Sequence, residues 1–132
     1  MKKLLLDTHI WIWSLLDPKR LKPRVMSALK SRDNELWLSP ISVWEVLTLF
    51  EKGRLGVKGS PEEWVESALG VAAFNEAPLS NEIVLDLPKW RMEHRDPADR
   101  LLVSTARVLD LTLVTADERL LALSGVKLLA NR

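Results

Sequence analysis

Lys3-Leu4-Leu5-Leu6-Asp7-Thr8-His9-Ile10-Trp11-Ile12-Trp13 is the stretch on which the reading of the fold turns. Its leucine run is too short for a helix and lacks polar alternation, as expected of a strand covered on both faces. It ends on Asp7, and from Thr8 through Leu16 the pattern is helical until Asp17-Pro18 stops it. A doubly covered strand that passes straight into a helix opens a parallel α/β unit. The same grammar returns near the other end: Thr112 to Thr115 reads as a strand, Asp117 to Leu123 as a short helix and Val126 to Ala130 as a last strand.

Between these ends, strands and helices alternate. A basic segment at Lys19 to Arg24 opens a helix through Lys30, and Glu35 to Ser39 reads as a strand. Pro40 suits the first position of a helix running to about Lys52. Ser60-Pro61-Glu62-Glu63 is a capping box before a helix through about Phe74. Asn75 to Pro78 follows as a short strand, and Ser80 starts a helix that breaks before Pro88. Lys89 to Arg95 is a positive loop, and Asp96-Pro97 begins a strong helix to about Leu109. The expected fold is α/β: a three-layer α/β/α sandwich with a central, mainly parallel sheet of four or five strands. At 132 residues the chain forms one domain, 1–132.

Composition removes whole classes of chemistry. With no cysteine and only two histidines, His9 and His94, disulfide scaffolds, cysteine-rich zinc modules, iron–sulfur clusters and cysteine nucleophiles are excluded. Any metal must be held by oxygen. No apolar stretch reaches the length of a membrane span, so the expected setting is the cytoplasm, with no membrane partner. The net charge of +1 says little by itself, because carboxylates committed to cations would leave a basic remainder.

In open α/β sheets ligands bind at the carboxyl ends of the strands. Asp7 and Asp117 both fall there, where aspartate also serves as an ordinary N-cap. Glu45 lies in Ile41 to Phe50, a helix so apolar that most of its surface is expected to be buried. A buried carboxylate needs a partner, and the sequence-local positions offer none, which leaves a distant basic residue or a bound cation. Asp96 fits an N-cap for the helix opened by Pro97. Asp99 shares its helical face with Leu102, Val103 and Ala106, whereas Arg100, Ser104 and Arg107 are expected on the opposite face. Asp99 therefore points towards the strand ends. Acids from four separated segments converge, and hard divalent cations resolve the repulsion among them. Such an all-carboxylate site on magnesium or manganese is suited to phosphodiester hydrolysis.

"LLLDTHIWIW", "SPISVWEVL", "HRDPADRLLVSTA" and "TLVTADERL", in this order, resemble the PIN-domain ribonucleases, most closely the toxins of the VapC kind from type II toxin–antitoxin pairs. The similarity covers nearly the whole chain and implies a PIN-like fold and a metal-dependent endoribonuclease. Carried over by position, the catalytic and metal-binding acids are Asp7, Glu45 and Asp99, with Asp117 as the fourth member; Thr8 and Thr115 match hydroxyl positions beside them, and Asp96 supports the helix. The resemblance further implies Mg2+ or Mn2+, an RNA substrate, a cognate antitoxin and a homodimer. Ala98 and Leu120 depart from aromatic positions common among relatives, without removing an acid. Arg95 and Arg100 are candidate phosphate-binding residues, in a basic cluster with Lys89, Arg91 and His94.

Of the six tryptophans, Trp11 and Trp13 cannot share a helix face, so one is expected in the core and the other at a protein interface; core packing accounts for Trp44 and Trp64. Two other α/β families fit less well. A phosphoacceptor receiver domain requires paired acids and a later lysine that are missing here, and a haloacid-dehalogenase-like phosphatase requires an aspartate where His9 stands. The remaining alternative keeps the fold and drops the reaction, giving a catalytically inactive RNA- or protein-binding module.

Overall fold

The computed structural model describes residues 1–56, 58–89 and 96–132. The chain runs β1 (Lys3–Leu6), α1 (Thr8–Leu16), α2 (Pro23–Lys30), β2 (Glu35–Leu38), α3 (Pro40–Glu51), α4 (Pro61–Gly70), β3 (Phe74–Glu76), α5 (Asn81–Asp86), α6 (Pro97–Val108), β4 (Thr112–Thr115), α7 (Glu118–Leu121) and β5 (Lys127–Ala130). Single turns of 3-10 helix follow α1 at Pro18–Arg20 and α5 at Leu87–Lys89.

Among the described residues five strands pair in parallel, in the order β3-β2-β1-β4-β5. The leucines of β1 explain its central place: alternate side chains of a strand point to opposite faces, and both faces are buried. Leu4 and Leu6 enter one core with Ile10, Trp11, Val25, Val46 and Val65. Leu5 enters a second with Leu102, Val103, Ala106 and Leu113. These two cores give the three layers.

The strand order also locates the site. From β1 the chain winds outward through β2 and β3, then returns to lay β4 on the other side of β1. The crevice at the carboxyl ends of β1 and β4 is therefore a topological switch point. Leu6 pairs with Val114, so Asp7 and Thr115 emerge side by side there.

Several expectations are corrected. The fourth helix ends at Gly70 rather than Phe74, and the strand that follows begins at Phe74, whose ring packs edge-on against Trp11 at 6.4 Å. Burying that ring outweighs continuation of the helix. The α3 helix is less buried than its composition suggests: Ser42 and Val46 alone are fully buried, and Trp44 is 58% exposed rather than packed in the core. The α3 helix rests on α1, α4 and α6, and Trp44 points away from these contacts into solvent. Conversely, Ser104, expected outside, is buried, because α5 packs along the flank of α6 away from the sheet.

Candidate active site

Asp7 caps α1 by position, yet its side chain makes no capping bond. Its carboxylate instead accepts a 2.7 Å hydrogen bond from Thr115 Oγ1, across the β1–β4 seam. Thr115 Oγ1 in turn accepts from the backbone N–H of Asp117 at 3.1 Å. Asp7 is almost fully buried, and this desolvation raises its pKa. The Thr115 bond and the nearby His9 act against the rise, and Asp117 adds to it.

Glu45 reaches the same crevice from α3. Thr8 Oγ1 donates to Glu45 Oε1 at 2.5 Å and lies 2.9 Å from Ser42 Oγ. A hydroxyl carries one proton, so with that proton given to Glu45 the Ser42 hydroxyl donates to Thr8. Burial first, and then the charges of Asp7, Asp99 and Asp96, push Glu45 up to about 7 against the opposing Thr8 bond. The three acids register electrostatically on Glu45, although they come from two other segments of the chain, the end of β1 and the start of α6.

Asp96 accepts from the backbone N–H of Ala98 at 3.0 Å and caps α6, while Asp99, one turn into that helix, is buried. Asp117 caps α7 through Arg119 N and also holds the Arg119 guanidinium, with Nε at 3.3 Å. Asp7, His9, Trp13, Glu45, Asp96, Asp99, Ala116, Asp117 and Arg119 line one open cavity of 310 Å³.

Sequence reasoning missed part of this lining. Arg119 stands on the cavity, whereas Arg100 donates to the carbonyl of Leu87 and staples α6 to the preceding turn. Arg95, with Arg91 and His94, lies outside the described residues. Ser42, one helical turn before Glu45 and among the local positions read as offering it no partner, reaches Glu45 through Thr8. Trp11 is the core tryptophan, as expected for one of the pair, and the half-buried Trp13 lines the acidic cavity.

Residues 4–126 match the PIN domain. The chain belongs to the PIN domain family. It is 32% identical over 121 residues to Ribonuclease VapC22 of Mycobacterium tuberculosis, covering 91% of each chain. Its fold is that of VapBC2 from Rickettsia felis, solved bound to a DNA fragment from its promoter: TM-score 0.74, 16% identity, 97% of this chain and 98% of that one. DNA-bound VapBC from Salmonella typhimurium is similar at TM-score 0.70 and 18% identity, with 98% of each chain covered.

In this PIN domain the donor set suits a hard cation: carboxylate oxygens, two of them on acids whose raised pKa values show the cost of bare negative charge. Among the described residues no three acids or histidines are closed to ligand spacing. Asp117 is engaged by Arg119 at 3.3 Å.

Proposed function

We propose that this PIN domain is a metal-dependent endoribonuclease that hydrolyses RNA phosphodiester bonds as the toxin of a toxin–antitoxin pair. The observation that carries the reading is the convergence of Asp7, Glu45, Asp99 and Asp117 on one cavity at the switch point of the sheet. These four carboxylates would hold Mg2+ or Mn2+. The ion would supply charge neutralisation at the phosphate and a lowered pKa for water.

The other residues of the site position the acids. Thr8 and Ser42 fix the Glu45 carboxylate, and Thr115 fixes that of Asp7. Asp96 holds the first turn of α6 and with it Asp99. Arg119 places a cation on the cavity rim, where a phosphate of the RNA chain needs one.

A cognate antitoxin partner and self-association complete the proposal. The relatives solved as VapBC complexes support the former. The proposed compartment is the cytoplasm; among the described residues no helix is long and apolar enough to cross a membrane.

The decisive experiment is cleavage of single-stranded RNA by the purified chain with Mg2+ or Mn2+, before and after chelation. Cleavage that disappears with chelator, returns with the ion and is lost in Glu45→Gln supports the reading. No cleavage with either ion overturns it in favour of the inactive binding module.

A further inference from the structure

The acidic cavity has an aromatic wall that hydrolysis of a phosphodiester does not require. Trp13 lines it and is only half-buried, unlike the core residue Trp11. Its ring is held from the side: His9, one helical turn earlier on α1, packs against it at 5.9 Å with the planes tilted by 54°. Arg20, from the turn that follows α1, sets its guanidinium carbon 4.7 Å from the ring centroid. Such a cation–π contact rigidifies an indole and places positive charge over one of its faces. Trp13 packs in part against the core, and the remainder of its side chain, with the exposed Arg20 over the ring, borders the cavity.

We infer that Trp13, backed by Arg20 and flanked by His9, is a stacking platform for an unpaired nucleobase of single-stranded RNA, next to the phosphate held over Asp7, Glu45 and Asp99. The inference rests on the nuclease reading and deepens it by assigning a substrate subsite. Two features favour a nucleotide. An indole face takes any base by stacking, whereas duplex bases are not free to stack. The platform also adjoins carboxylates suited to an ion that binds phosphate, and Arg119 lines the same cavity. Base and phosphate are thus offered opposite chemistries within one opening.

The test is a cycle between residue and base. Cleavage of a single-stranded RNA oligonucleotide by wild type, W13A, W13F and R20Q is measured with Mn2+, using the intact strand and strands carrying an abasic ribose at each position flanking the cleaved bond. Removing a stacking partner is expected to lower kcat/KM by roughly 10-fold to 100-fold, mainly through KM. At one flanking position the abasic strand should lose as much with wild type, and W13A should lose nothing further on that strand. W13F should recover most of the loss on the intact strand. R20Q, altered at an exposed side chain, should weaken cleavage of the intact strand and not of that abasic strand. Losses that add at every position, or a KM unchanged in both W13A and R20Q, overturn the platform while leaving the nuclease reading intact. Failure of wild type to cleave RNA overturns both.

Discussion

Thr115 Oγ1 stands 2.7 Å from Asp7 Oδ2 and accepts, on its other side, the backbone N–H of Asp117. One hydroxyl thus ties the buried acid at the end of β1 to the capping acid at the end of β4. It donates to the charged form of Asp7 and so holds down a pKa that burial raises. Replacing Thr115 with valine removes both bonds at nearly constant volume. The expected result is a loss of about 1 kcal/mol of stability. The acid limb of the cleavage profile should also move to higher pH, since Asp7 loses its donor. Denaturant melts and a pH–rate series check both.

Glu45 gives the metal-free protein a distinct pH dependence. Its pKa in the folded chain is about 7 against an ordinary 4.5, so between these values the folded state holds the extra proton. Stability is therefore greatest below the window and falls as pH rises through it. Glu45→Gln removes the ionisation while keeping an oxygen for the Thr8 donor. Metal-free melting midpoints should show wild type and variant alike near pH 5, and the variant more stable at pH 8. A wild type stabilised by the rise in pH relative to the variant contradicts the assignment.

Divalent ions should reverse that disadvantage. An ion that binds the folded cluster and not the unfolded chain stabilises by about 2.7 kcal/mol at a hundredfold excess over its dissociation constant. Thermal melts at pH 8 and matched ionic strength should rise with Mg2+ or Mn2+ in wild type and much less in Asp99→Asn. Equal midpoints with and without ion in wild type count against a metal site.

Asp96 and Asp99 separate by role. Asp96→Ala removes the acceptor for Ala98 N–H and should cost about 0.5 to 2 kcal/mol, with Asp96→Ser restoring stability and most of the cleavage. Asp99→Asn should keep the fold and lose cleavage severely, and serine there should not restore it. An active Asp99→Asn beside an inactive Asp96→Ser reverses the two assignments.

The alternation of doubly apolar strands with capped helices was legible in the sequence because it follows from local periodicity and turn chemistry. So were the acids: Asp7 and Asp117 by their place after strands, Asp99 by its helical face, Glu45 by its place among apolar neighbours. What local pattern does not encode is which surfaces meet. The order β3-β2-β1-β4-β5, with its switch point beside β1, comes from long-range pairing. Trp44 and Ser104 reversed their expected burial because the layers beside α3 and α6 decide it, not the residues' own hydrophobicity. Arg119 took the cavity and Arg100 the staple, since each guanidinium goes to the acceptor that the packed helices place within its reach. Sequence determined the elements and the charges they carry; tertiary structure alone brought those charges to one cavity, because burial and Coulomb interaction depend on distance through space.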